Sequence, residues 1–161
     1  MGNQILELLR MQEALDESIF KAKDIEEYPL DEARISLFVE VGELMNEFPT
    51  YFKYWKSSAV DNREKGLVEY VDCLHFALSL TNYELTESEK ESIPNYSKCK
   101  NWWNTYDCIE EISDDLTRGS LRTILEDLFA LGNHLGFTWE EIYNAYKEKN
   151  KVNWERLKNK Y

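Results

Sequence analysis

Only three prolines, at 29, 49 and 94, and six glycines punctuate this chain of 161 residues. Proline removes a backbone donor and clashes with a continuing helix, while glycine supplies the backbone freedom that tight turns require. A chain poor in both has few obligatory turns, which favours long helices over many short strands. The apolar spacing agrees. Ile5, Leu8, Leu9, Leu15, Ile19 and Ala22 recur at helical intervals across residues 4–27, and Pro29 is expected to end that helix. Asp31 is expected to cap the next helix, which runs to Pro49. A third covers residues 63–83 with Leu67, Val71, Leu74 and Leu78 as its stripe. Residues 84–100 are polar, contain Pro94, and read as a connection with one short helical turn. A fourth helix is expected over residues 102–116, stopped by Arg118-Gly119-Ser120, and Ser120 is placed as the cap of a fifth over residues 120–135. Gly136 supplies its stop, and Thr138 with Glu141 fits a capping box for a last helix toward Tyr161. No β-hairpin signal or fixed-period repeat is present. The expected fold is all-α: one bundle-like domain of five or six helices over residues 1–161.

The aromatic content of 14% and the hydrophobic content of 43% suit a packed core and exclude a disordered chain. The formal charge of −12 argues against a sequence-independent nucleic-acid binder, which needs a basic face, and against docking on anionic lipid. An acidic protein can still hold a polyphosphate if metal ions lie between them. Cys73, Cys99 and Cys108 include no CxxC, so neither a zinc site nor a disulfide framework is expected, and Cys73 reads as a small core residue. The N-terminus alternates apolar and charged residues, unlike a signal peptide, and no apolar run reaches membrane-spanning length. A cytoplasmic protein without membrane contact is expected.

Two pairs of carboxylates interrupt the most apolar helices. Glu40 and Glu43 lie among Leu37, Phe38, Val39, Val41, Leu44 and Met45; Glu69 and Asp72 lie among Leu67, Val68, Val71, Leu74 and Phe76. Residues three apart share a helix face, so each helix presents two acids side by side. If the two stripes face each other, four carboxylates share one site and repel, and a divalent cation relieves that repulsion. Mg²⁺ prefers such oxygen ligands and completes its shell with water and substrate phosphates.

The order E-x-x-E, then E-x-x-D on the next helix, resembles the signature of the all-α nucleotide pyrophosphatase superfamily, and within it the dimeric dUTPase family. Three further features are similar to that branch: F-x-x-W-K at Phe52 to Lys56, a histidine three beyond the acidic pair at His75, and the run of Tyr146, Lys149, Asn150, Asn153 and Arg156. The resemblance covers residues 12–156 and is weakest over residues 84–120. It implies that Glu40, Glu43, Glu69 and Asp72 ligate two or more Mg²⁺ ions, with Mn²⁺ as a substitute. It also implies that Glu43, in preference to Glu40, orients and deprotonates the attacking water. The implied reaction takes dUTP, and also dUDP, to dUMP. Lys56, Lys149 and Arg156 would hold phosphate charge. Trp55 would stack on uracil, and Gln12, His75, Asn150 and Asn153 would meet its edge. A homodimer is implied as well.

Each residue also has a plainer reading. A helical E-x-x-E is commonly a solvated face, His75 a core histidine, Trp55 a core or interface aromatic, and Lys149 and Arg156 the wet side of the last helix. The same carboxylates would serve a relative acting on dCTP or damaged nucleotides, with a different pocket around Trp55, His75 and Asn153. A third reading is a protein-binding module on this scaffold. Some phage-related relatives are thought to bind a repressor, and residues 84–120, with Trp102-Trp103, are where such a partner would sit.

Overall fold

At the centre of the molecule runs α3 (Arg63–Glu84), whose start is capped by the Asn62 side chain accepting from the Lys65 amide at 3.1 Å. The computed structural model describes residues 2–99, 104–118 and 120–159. Four helices pack around α3: α1 (Gly2–Ala22), α2 (Leu30–Asn46), α6 (Ile124–His134) and α7 (Trp139–Lys158). The short α4 (Glu87–Lys90) follows α3, and α5 (Thr105–Arg118) packs on α6 and α2. Among the described residues there are thus six long helices, one short one, two 3-10 turns and no strand, as the scarcity of turn residues predicts.

Because α3 is surrounded, burial extends round most of its second half rather than along one stripe. Tyr70, Cys73, Leu74, Ala77, Leu78 and Leu80 are fully buried, and Leu67 is only half so. Each fully buried leucine contributes about 1.5–3 kcal/mol relative to exposure. Polar ties fix the neighbours: Asn82 Nδ2 donates to the Leu9 carbonyl at 2.8 Å, and Trp139 Nε1 donates to Gln4 Oε1 at 2.8 Å. Arg63 donates to both Glu141 carboxylate oxygens, at 2.9 and 2.8 Å, and to the Gly136 carbonyl at 2.7 Å. This guanidinium clips the start of α3 to the start of α7.

Several helix ends differ from expectation. α1 stops at Ala22 rather than 27, because Asp24 turns left-handed (φ 54°) and the Ile25 amide reaches back to Phe20 O at 2.9 Å. Asp31 is not the cap of α2. The helix begins at Leu30, two residues earlier than an Asp31 cap would place it, with Pro29 in the cap position and its carbonyl accepting from Ala33, and Asp31 sits inside the first turn where its charge suits the dipole. α2 ends at Asn46, before the 3-10 turn at Pro49–Tyr51. Ser120 caps nothing either, since α6 starts at Ile124 after Thr123. α5 begins at Thr105, where Asn104 and Asp107 exchange side-chain-to-amide hydrogen bonds at 3.1 and 3.3 Å. Trp102, Trp103 and Gly119 lie outside the described residues. The Thr138–Glu141 capping box forms as expected, and Gly136 adopts φ 80°, which only glycine takes without strain. The three cysteines are buried and none is in a disulfide among the described residues. Among the described residues no helix is long and apolar enough to cross a membrane.

Candidate active site

The Asn62 amide donates to the Glu47 carbonyl at 2.8 Å, which pins the end of α2 to the start of α3 and folds the two into an antiparallel hairpin. Glu40 lies seven residues before that tie and Glu69 seven after it, so the acidic stretches are level. One carboxylate oxygen from each of Glu40, Glu43 and Glu69 lies within 4.8 Å of the other two. Glu40 and Glu69 are half-buried and Glu43 is exposed, so the cluster opens to solvent on one side. Asp72, one turn along α3, faces the Lys149 ammonium of α7 at 2.7 Å.

The charges act on one another. Burial, then repulsion from Asp72, Glu43 and Glu69, lifts the Glu40 carboxyl to about 7, with Lys149 opposing. Burial first, then Asp72 and Glu43, also holds Glu69 above its ordinary value. Groups so arranged fit a divalent cation: hard oxygen donors, crowded, with repulsion that a positive ion relieves.

Beside the acids lies a buried polar network joining three helices. Gln12 of α1 is 2.7 Å from His75 Nδ1 of α3, and it accepts from the Tyr146 hydroxyl of α7 at 2.9 Å, both at its carbonyl oxygen. The His75 and Tyr146 rings stack with centroids 4.4 Å apart. Burial, and then Lys149, depresses His75 to about 3, so its ring is neutral. His75 Nε2 and Asn150 Nδ2 are buried without a hydrogen-bond partner among the described residues, and Asn150 lies beside the Tyr146 hydroxyl. Buried polar atoms in that state are costly unless something meets them.

The structure therefore brings Glu40, Glu43 and Glu69 together, sets Asp72 against Lys149, and gathers Gln12, His75 and Asn150. Asn153 is half-buried and Arg156 exposed, each further along the same side of α7 as Lys149. Trp55 and Lys56 stand apart on the segment between α2 and α3. Trp55 is 66% exposed and meets Tyr54 edge-on at 5.1 Å, and no hydrogen bond or ion pair joins either residue to the acids among the described residues. Sequence reasoning missed Asp16 and Ser79, and quoted Tyr146 without giving it a place in the site. Asp16, four residues after Gln12, is a same-face polar pair that could have been noticed.

An all-helical fold carrying a crowded carboxylate cluster beside a buried polar network defines a class: helical proteins whose acidic residues fit a divalent cation. A family model described as dUTPase matches residues 4–161, nearly the whole chain, and the chain belongs to this all-α dimeric dUTPase family. It is accordingly an enzyme that hydrolyses dUTP, from a family that generally depends on a divalent metal. No curated protein sequence matches it significantly.

Proposed function

We propose that the chain is a Mg²⁺-dependent dUTP diphosphatase that releases dUMP and pyrophosphate, and that it also accepts dUDP. The observation that carries this reading is the cluster of Glu40, Glu43 and Glu69 carboxylates within 4.8 Å. Those three and Asp72 would hold the metal, with Mn²⁺ as a substitute. When bound, the metal neutralises phosphate charge and makes water a better nucleophile. Glu43, the exposed member, accepts a proton from the attacking water and holds that water in line with the phosphorus. Lys149, anchored at the rim by Asp72, meets phosphate oxygens together with Arg156 and Lys56. His75 Nε2, an acceptor, and Asn150 Nδ2, a donor, face the imide edge of uracil, with Asn153 beside them and Gln12 bracing the histidine. Trp55, exposed on its loop, supplies a stacking face for the base.

The reading includes a homodimer. Ile35 is 65% and Phe38 57% exposed on the outer side of α2, beside an apolar groove of about 370 Å³ lined by Phe38, Val41, Met45, Phe52 and Ile112. Apolar surface of that kind is what subunit contacts cover.

The test is direct. The protein is incubated with Mg²⁺ and each of dUTP, dUDP, dTTP, dCTP and UTP, and the nucleotide products are quantified beside Glu43→Gln and EDTA controls. Selective conversion of dUTP and dUDP to dUMP, lost in both controls, is the expected result. Selective cleavage of dCTP would overturn the base assignment, and no hydrolysis with Mg²⁺ or Mn²⁺ would overturn the mechanism.

A further inference from the structure

The carboxylate of Asp16 has no part in the reading above, yet it touches the network that faces the base. It accepts from Gln12 Nε2 at 2.7 Å, and the neighbouring Ser79 hydroxyl favours its charged form. Ser79 Oγ lies 2.8 Å from the hydroxyl of Tyr28, whose ring stacks on Tyr83 at 4.5 Å. Burial lifts the Asp16 carboxyl to about 6, which leaves it ionised at neutral pH.

An ionised carboxylate can only accept hydrogen bonds. Gln12 must therefore turn its amide NH₂ toward Asp16, which sends its carbonyl oxygen the other way. Two groups meet that oxygen, His75 Nδ1 at 2.7 Å and the Tyr146 hydroxyl at 2.9 Å, and both must donate. The His75 ring is neutral, so a proton on Nδ1 leaves Nε2 with a bare lone pair. That atom is the buried one with no partner among the described residues. The direction of every bond from Asp16 through Gln12 to His75 and Tyr146 follows from one charge.

We propose that Asp16 is a positioning residue for base selection: through Gln12 it holds His75 in the tautomer whose Nε2 accepts. The pocket then takes a ring that offers an N–H at that atom, as the imide of uracil does. It refuses a ring that offers a lone pair there, as cytosine does. The specificity half of this inference rests on the base assignment made under the proposed function. Without the carboxylate, the Gln12 amide is free to turn over. Its NH₂ then faces His75, Nδ1 becomes the acceptor, and the proton moves to Nε2, which reverses the polarity shown to the base.

The experiment reads the tautomer and the selectivity separately. Two-bond ¹H–¹⁵N spectra of the full chain at neutral pH, without nucleotide, report which His75 nitrogen carries the proton. His134 is the one other histidine, so assignment is simple. The wild type is expected to show Nδ1–H. Asp16→Ala should move the proton to Nε2 or mix the two forms, and should lower the dUTP-over-dCTP ratio of kcat/KM by about tenfold or more. Asp16→Ser, whose hydroxyl dictates neither orientation, repeats the test if the alanine variant does not fold. Nε2–H in the wild type, an unmoved tautomer in the alanine or serine variant, or a moved tautomer with unchanged selectivity each overturns the proposal. A wild type that does not distinguish dUTP from dCTP overturns the base assignment and the selectivity role. The spectra still decide whether Asp16 governs His75.

Discussion

Gly132 of α6 is a point where α3 and α6 leave no room for a side chain. A Cβ there would stand 2.5 Å from the Tyr70 hydroxyl oxygen, 2.7 Å from Cζ and 2.9 Å from Cε2. Ordinary non-bonded contact needs roughly 3.5 Å, so the ring must retreat by about 1 Å in Gly132→Ala. Tyr70 has no room to do so. It is fully buried, and its hydroxyl donates to the Leu128 carbonyl at 2.9 Å. Overpacking of this kind costs about 1–3 kcal/mol, and breaking the buried hydrogen bond costs a similar amount. These describe one displacement and do not add. Replacing a helical glycine by alanine returns about 0.5–1 kcal/mol. The net expectation is a loss of about 1–2 kcal/mol. Urea unfolding followed by circular dichroism measures it as a lower midpoint at unchanged slope. In a Tyr70→Phe background the same substitution should cost less, since the nearest atom is gone. Tyr70 adjoins Glu69, so dUTP turnover should fall as well, because a misplacement of about 1 Å can cost about 100-fold. A Gly132→Ala protein as stable as the wild type would refute this account of the α3–α6 contact.

Saturating Mg²⁺ should stabilise the wild type against heat, by about 2.7 kcal/mol at a hundred times its Kd, and EDTA should reverse the gain; a melting temperature indifferent to both would count against the acidic cluster as the metal site. Lys149→Met strands Asp72, half-buried, among like charges. In EDTA it should lose about 1–2 kcal/mol, less than a fully buried pair because both partners are partly wetted, and Mg²⁺ should restore the stability without restoring turnover. Asp115 of α5 is buried against Asp127 of α6, and burial followed by that repulsion holds its carboxyl above its ordinary value. Because the folded carboxyl titrates above the unfolded one, the cost is absent below the unfolded value, grows as pH rises from there, and is complete above the raised value. Asp115→Asn should therefore gain on the wild type in urea midpoint between pH 5 and pH 8, and a constant or shrinking gap would contradict it.

The helices and the acidic pairs were legible because both are local. Periodicity within one helix announces α1, α2, α3 and α7, and a spacing of three places Glu40 with Glu43 and Glu69 with Asp72 on common faces. The Thr138 capping box was legible for the same reason. Caps failed where a neighbour overrode the cap residue, as Pro29 does at Asp31. Lys149 was expected to hold phosphate, and it lies on Asp72, 77 residues away. The tie from Gln12 to Tyr146 spans 134 residues, and no spacing rule reaches so far. The role of Asp16 shows only once three helices have met, since it acts through the orientation of an amide.

The antiparallel α2–α3 hairpin has a consequence for how the enzyme comes into being. The acids between residues 40 and 72 require one short loop to close, tied at Glu47 and Asn62. The buried polar network requires residues 12, 75 and 146 to converge, which closes most of the chain. Loop-closure entropy makes the first event cheaper and faster than the second. The acidic cluster is thus encoded in one contiguous stretch, and the buried network of Gln12, His75 and Tyr146 is a property of the finished tertiary structure. A chain with α1 or α7 undocked would keep Glu40, Glu43 and Glu69 aligned and lose the contacts of Gln12, His75 and Tyr146.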